Sequence, residues 1–446
     1  MNKSHSRFML TTFGCQMNQA DSQRLRGLLN AIGYTETETE DDADLILFNT
    51  CCVRQHAEQR LIGRIQSLIN HKRRNADLII GVSGCMAQNM QAGLLELLPL
   101  VDLVFGPNDI EELPLLLQRA AIGKTLGSFV GKGAFDGDSA DGIILDRPFS
   151  AMVNIIRGCT NFCSYCIVPY VRGPEISRPL PELKEYISDL AARGVSEITL
   201  LGQNVNAYGR DIGLSEGFAQ LLEMIEEIDG IKWVRFMTSH PRDFSTVAIK
   251  RIAQLRKVCE QYHLPVQSGS NHVLELMKRG YTREKYLALV DAVREQVSNA
   301  CLSTDIICGF PGESEKDFID TLDLVEKVRY ESAFMYFYSP RDGTEAAKMP
   351  GQLSEEEKKG RLARLIKVQN RISLEESQKL IGHDYDVLVE SKAARDENHL
   401  VGKMRSGRSV NFPGEQSLIG KYVSVRIEKA RNWTLSGTIA NSKKES

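Results

Sequence analysis

Nowhere in the 446 residues do eighteen apolar residues run consecutively, so no helix is expected to cross a membrane. Residues 1–7 lack the apolar core and small-residue cleavage site of a secretory leader and run straight into a predicted strand. Tandem repeats and long low-complexity tracts are missing, which removes repeat architectures. A dominant charge is missing too: 55 Lys and Arg stand against 58 Asp and Glu, for a net charge of −3. That excludes a chain basic all over, the simplest kind of nucleic-acid binder. Cysteine, by contrast, is plentiful. Ten cysteines in a chain without a leader point to a cytoplasmic protein that uses thiols for metal or redox purposes rather than for disulfides.

The charge is uneven. From Gln378 onward twelve Lys or Arg face eight Asp or Glu, a net of +4 on a body of −7. Such a tail offers phosphates a local footprint, or is a solvated surface with a slight basic bias. The length calls for about three domains. Apolar runs at 8–13, 44–49, 78–82 and 101–105 alternate with helical patterns at 21–32 and 56–70, which predicts a doubly wound parallel sheet over 1–126. Residues 127–147 begin with a Gly-, Ser- and Asp-rich stretch and read as a linker. Strands predicted at 152–156, 197–201, 234–238, 262–266, 303–308 and 334–338, again alternating with helices, make an α/β core over 148–377. Six units are too few for a closed eight-fold barrel and fit a partial (β/α)6 TIM-like barrel, with its chemistry at the C-terminal strand ends. A charged helix at 355–380 leads to five short strands within 378–442, read as a small antiparallel β-barrel.

The decisive stretch is Arg157-Gly158-Cys159-Thr160-Asn161-Phe162-Cys163-Ser164-Tyr165-Cys166, with cysteines spaced C-x3-C-x2-C. Soft thiolates held this close select iron or zinc. A structural zinc would want a fourth ligand, and none follows in Ile167-Val168-Pro169-Tyr170. A four-iron cluster on three cysteines leaves one iron open for a ligand. This spacing resembles that of the radical S-adenosylmethionine superfamily, in which S-adenosylmethionine occupies the open iron.

A second set is scattered but patterned. Phe13-Gly14-Cys15-Gln16-Met17-Asn18, Asn49-Thr50-Cys51 and Ser83-Gly84-Cys85 each follow a predicted strand directly. Strand C-termini of a parallel sheet share one edge. Cys15, Cys51 and Cys85 should therefore converge there, as three ligands of a second open cluster or as buried thiols. Gly14 and Gly84 would let backbone approach the site. Cys52, Cys259, Cys301 and Cys308 read as core.

These motifs, with Val168-Pro169-Tyr170-Val171-Arg172-Gly173 and Ser177-Arg178-Pro179, resemble the methylthiotransferase family over nearly the whole chain. Leu201-Gly202-Gln203-Asn204-Val205-Asn206 and Thr238-Ser239-His240-Pro241 are similar to its branch acting on isopentenyladenosine in tRNA. The resemblance implies an enzyme with an N-terminal methylthiotransferase domain, a radical S-adenosylmethionine core and a C-terminal TRAM domain. It implies two 4Fe-4S clusters, one on Cys15, Cys51 and Cys85 and one on Cys159, Cys163 and Cys166. S-adenosylmethionine would serve as methyl donor and as source of the 5′-deoxyadenosyl radical that attacks the unactivated C2 of adenine. The partners implied are the tRNA anticodon arm and an electron donor such as flavodoxin or ferredoxin. The same chemistry on threonylcarbamoyladenosine or a ribosomal protein, and a cluster-bearing RNA-binding or redox-sensing protein without turnover, are the competing readings.

Gln203, His240, Gln267 and Asp305 fall near predicted strand ends, where they would contact S-adenosylmethionine or substrate, or pack behind it. His263 reads as a satisfied core histidine. The loop Gly309-Phe310-Pro311-Gly312-Glu313 resembles one that shapes the cofactor pocket. Arg172 and Arg178 are potential anion holders or surface partners of acids, and Tyr165 is expected to pack. In the tail, Arg405, Arg408, Lys421, Arg426 and Arg431 are candidate phosphate contacts. Phe412 and Trp433 are candidates for stacking on bases or for filling the barrel.

Overall fold

The computed structural model describes residues 6–51, 55–122, 126–128, 142–432 and 434–440. Most of the expected linker, Cys52 and Trp433 lie outside the described residues. The chain forms two compact units. The first comprises Met1–Asn161, Ile167–Arg193 and Leu200–Gln203, and the second Phe162–Cys166, Gly194–Thr199 and Asn204–Ser446.

In the first unit, six parallel strands pair in the spatial order Thr35–Glu36, Arg7–Thr12, Leu45–Thr50, Ile79–Gly84, Leu103–Phe105 and Leu126–Ser128. Every residue of Leu45–Thr50 is buried, as a central strand covered on both faces requires. Alternate residues serve opposite faces. Leu45 and Leu47 join Leu25 and Leu29 of the helix Gln16–Ala31 and Leu113 and Leu116 of Leu113–Ala120. Ile46 and Phe48 join Leu61 and Ile65 of Gln55–Ser67 on the other side. The sheet is therefore doubly wound, as expected. Its two outer strands, Thr35–Glu36 and Leu126–Ser128, are not visible as apolar runs. Strand order reverses between Arg7–Thr12 and Leu45–Thr50, which opens a crevice at the C-terminal edge.

In the second unit, Gln261–His263, Cys301–Cys308 and Ser332–Phe337 form a parallel sheet. Trp233–Phe236 approaches it through a parallel bridge between Val234 and Val258. Helices return between strands, each opened by a side-chain cap: Ser245 on Thr246–Ile252, Thr282 on Arg283–Gln296 and Ser314 on Glu315–Val328. This is the strand–helix alternation expected of the central core. Cys259, Cys301 and Cys308 are buried in it, and burial pushes their thiols upward, to about 11 for Cys259 and about 12 for Cys308. The helix Glu355–Gln378 begins with a capping box of Ser354 and Glu357.

The last five strands close into a barrel around Val387, Val389, Leu400, Val410, Phe412, Val425 and Ile427. The expectation of a wholly antiparallel barrel needs correction at one seam. Ser409–Pro413 and Leu435–Ile439 pair in parallel. Parity demands this: strict alternation of direction around a closed ring is impossible with an odd number of strands. Among the described residues, no helix is long and apolar enough to cross a membrane.

Candidate active site

The sheet register brings the first cysteine set together. Thr12 is opposite Asn49, Asn49 opposite Ser83, and Thr50 opposite Gly84. Cys15, Cys51 and Cys85 therefore leave the same edge, beside the point where strand order reverses. Gly14 and Gly84 both hold positive φ, +142° and +96°. A Cβ on Gly14 would stand 2.6 Å from Cys51 Cβ, and one on Gly84 2.3 Å from the Thr50 carbonyl oxygen. Only glycine permits this packing.

Polar side chains inside the motifs tie the loops down. Asn18 Nδ2 donates to Asn49 Oδ1 (3.1 Å), and Asn49 Nδ2 donates to the Asn18 carbonyl (2.8 Å) and to Ser22 Oγ (3.0 Å). Cys15 Sγ lies 3.4 Å from Asn18 Oδ1. Cys15 caps the N-terminus of Gln16–Ala31, whose dipole favours a thiolate. Its thiol is lowered to about 6, chiefly by a hydrogen bond with Cys51, with Arg172 contributing.

Arg172 is almost wholly buried. Its Nε donates to Cys85 Sγ at 3.2 Å and its Nη2 to Asp21 at 3.1 Å. Arg172 is thus bound to the cysteine edge rather than left free for phosphate. Arg178, by contrast, lies over the Tyr186 ring and near Glu182.

The second cysteine stretch is anchored in each unit separately. In the first, Gly158 at φ +79° donates its N–H to Gln203 Oε1 (2.6 Å), and Cys159 N–H donates to the Gly173 carbonyl (3.1 Å). A Cβ on Gly158 would meet the Pro174 carbonyl oxygen at 1.9 Å. Gln203 thereby acts on the backbone of the motif. In the second, Cys166 N–H bonds the Cys163 carbonyl, and Ser164 is held by the Leu276 and Met277 carbonyls. Tyr165 packs edge-on against Phe310. Arg279 Nη1 donates to Cys163 Sγ at 3.3 Å, and Arg279 also holds the Tyr281 hydroxyl and the Pro265 carbonyl. Neither arginine–cysteine pairing was legible in the sequence. Its signal was an arginine inside an apolar or glycine-containing motif.

Donor chemistry tests what these cysteines fit. Among the described residues, no three His, Cys, Asp or Glu side chains gather closely enough to cage one metal ion. Thiolates that bind separate irons of a cluster need no such convergence. Thiolate-favouring surroundings and glycine-lined access suit that use.

Beyond the strand ends of the second unit, the buried Ser239 Oγ, His240 Nε2 and Gln267 Oε1 have no hydrogen-bond partner among the described residues. Buried polar groups are normally satisfied, so unpaired ones past strand C-termini point to a ligand. Burial, aided by Arg279, drives the His240 ring down to about 2, so it is neutral. Gln267 adopts φ +70° and bonds Asp305 through the backbone. Asp305 carries His263 Nε2 at 3.5 Å, and His263 Nδ1 meets Ser303 Oγ at 3.0 Å, so His263 is a satisfied core residue. Glu313, from the glycine-bounded loop, is held by Arg361 at 2.7 Å.

The candidate phosphate contacts divide. Arg405 forks onto Glu260 and the Arg256 and Val258 carbonyls, while Arg235 holds the Met404 and Arg405 carbonyls. These contacts, with Tyr422 edge-on to Trp233, seat the small barrel at the N-terminal ends of the core strands. Arg405 is therefore a seating residue, its Nε and Nη2 already engaged. Arg408 is half-buried against Ser377. Lys421, Arg426 and Arg431 are exposed, Arg426 beside Asp384 at 3.2 Å. Phe412 is fully buried among the barrel's apolar side chains and cannot stack on a base without unfolding it.

An uncharacterized protein family model matches residues 7–106, the Radical SAM superfamily model residues 153–325 and the TRAM domain model residues 378–440. The tRNA-2-methylthio-N(6)-dimethylallyladenosine synthase of Moorella thermoacetica is 45% identical over 99% of this chain and 100% of its own. That of Clostridium botulinum is 47% identical over 96% of each. Among solved structures, a radical S-adenosylmethionine methyltransferase from Kitasatospora setae, with cobalamin and a [4Fe-4S] cluster bound, shares the fold. Its TM-score is 0.54 at 14% identity, over 77% of each chain. Matched end to end by such relatives, the chain belongs to the family of tRNA-2-methylthio-N(6)-dimethylallyladenosine synthases, within the radical S-adenosylmethionine superfamily.

Proposed function

We propose that this chain is a tRNA methylthiotransferase that places a methylthio group on C2 of N6-dimethylallyladenosine beside the anticodon. The observation that carries the reading is the convergence of Cys15, Cys51 and Cys85 on one sheet edge, in a chain that also carries C-x3-C-x2-C. Cys15, Cys51 and Cys85 hold one 4Fe-4S cluster, and Cys159, Cys163 and Cys166 the other. When bound, the clusters and S-adenosylmethionine supply radical and sulfur chemistry that no side-chain acid or base can perform on an unactivated C–H bond.

The residues of the chain orient and shield. Gln203 fixes the Gly158 backbone. Ser239, His240 and Gln267 offer their unpaired atoms to S-adenosylmethionine or the adenine, with His240 neutral and Asp305 behind them. Lys421, Arg426 and Arg431 contact tRNA phosphates. The domain limits follow the same reading: 1–126 for the auxiliary cluster, 148–377 for the radical core and 378–442 for TRAM, with 127–147 between. The enzyme works in the cytoplasm with a flavodoxin- or ferredoxin-like electron donor.

Nucleoside mass spectrometry on tRNA from cells with and without the protein tests the reading. Loss of 2-methylthio-N6-dimethylallyladenosine, with accumulation of its unthiolated precursor, is expected. A loss confined to a threonylcarbamoyl nucleoside would reassign the substrate, and an unchanged nucleoside profile with no 5′-deoxyadenosine formed in vitro would overturn the enzyme reading.

A further inference from the structure

Two buried arginines each donate to one cysteine sulfur, one in each set. Arg279 reaches Cys163 Sγ at 3.3 Å, and Arg172 reaches Cys85 Sγ at 3.2 Å. Their surroundings differ in charge. Arg172 also binds the Asp21 carboxylate at 3.1 Å, with both side chains at most 4% exposed. Around Arg279 the other partners are the Tyr165 and Tyr281 hydroxyls and the Pro265 carbonyl, and among the described residues no carboxylate lies within ion-pair distance of it. One sulfur therefore faces a compensated cation and the other an uncompensated one. Hydrogen bonds and net charge around the sulfurs are what set a cluster's potential. Low dielectric amplifies the difference.

Building on the assignment of both cysteine sets as cluster ligands, we propose that Arg279, Arg172 and Asp21 are positioning residues that set the two clusters at different potentials. Arg279 favours the added electron beside Cys163, and Asp21 cancels the same effect of Arg172 beside Cys85. The step is a one-electron transfer from a low-potential one-electron donor. The donor is oxidised, the site beside Cys163 is reduced, and no bond or proton moves. The pairing would direct reducing equivalents to the site that cleaves S-adenosylmethionine and spare the site that stores sulfur.

The test uses full-length protein reconstituted with iron and sulfide. Cys15, Cys51 and Cys85 are replaced by Ala to isolate one cluster, or Cys159, Cys163 and Cys166 to isolate the other. Reductive titration against dithionite is followed by electron paramagnetic resonance. In the first background, Arg279→Gln should lower the ratio of reduced to oxidised cluster at fixed potential at least tenfold, a shift of about 59 mV or more for one electron. Arg279→Lys, which keeps the charge, should recover most of it. In the second background, Asp21→Asn should raise that ratio by a similar factor. Ratios of reduced to oxidised cluster unchanged within twofold in Arg279→Gln and Asp21→Asn would overturn the inference while leaving the cluster assignment standing. Should Arg279→Gln fail to load iron, Asp21→Asn decides: an unmoved midpoint there refutes the proposal. Failure of both unmutated backgrounds to bind iron would remove the cluster assignment itself, and the inference with it.

Discussion

Gly84 and Gly33 make a matched pair for asking how much the cysteine edge depends on close backbone approach. Their φ angles are nearly equal, +96° and +92°. A methyl group on Gly33 would meet nothing within 4 Å, whereas on Gly84 it would meet the Thr50 carbonyl oxygen at 2.3 Å, Asn49 Oδ1 at 2.6 Å and the Thr50 nitrogen at 2.8 Å. Both substitutions to Ala incur the strain of positive φ, about 1–3 kcal/mol, with Gly84 toward the upper end because its ψ of −165° puts it in a region essentially reserved for glycine. Beyond that strain, only Gly84→Ala adds overpacking, about 1–3 kcal/mol. The upper half of that range applies, because two of the three atoms struck are backbone of a fully buried strand. Gly84→Ala should therefore cost about 2 kcal/mol more than Gly33→Ala. Urea unfolding followed by circular dichroism gives the difference from the midpoints and slopes. Because Thr50 precedes Cys51 and Gly84 precedes Cys85, Gly84→Ala should also lower iron per chain, and Gly33→Ala should not. Equal costs, or full iron loading in Gly84→Ala, would refute the claim that the cysteines depend on this approach.

Replacing Cys15, Cys51 and Cys85 together by Ala should halve the iron, retain 5′-deoxyadenosine formation and abolish the methylthio product; product from a folded variant, checked by circular dichroism, would mean the sulfur comes from elsewhere. Alanine at Lys421, Arg426 and Arg431 should reduce the salt slope of tRNA binding by roughly 0.7 for each single-strand phosphate no longer neutralised, measured by filter binding. Arg405→Ala should instead lower the unfolding midpoint, because it empties the Glu260 seat. Glu331 accepts the Leu302 N–H, and burial raises its carboxyl to about 7. A raised acid contributes stability that is complete below the unfolded value near 4.3 and is lost as pH climbs through about 7. Glu331→Gln should therefore flatten the fall in stability between about pH 4.5 and 7, as read from denaturation midpoints across that window.

The order of elements and the place of the cysteines were written locally. Apolar runs such as 45–48 need no distant partner to be recognised as a covered strand, and a cysteine directly after each of three such runs must share their edge once the sheet is parallel. The parallel seam of the five-strand barrel, against the antiparallel expectation, came only with closure, because a ring with an odd number of strands cannot alternate throughout. What sequence left undecided was the partner of each buried charge. Arg172 finds Asp21 across 151 residues, and Arg405 finds Glu260 across 145. An arginine reads the same in a sequence whether it waits for phosphate, seats a barrel or donates to a thiolate. Charge carries no address along the chain, and only the folded distances and the exclusion of water fix which opposite group or sulfur it meets.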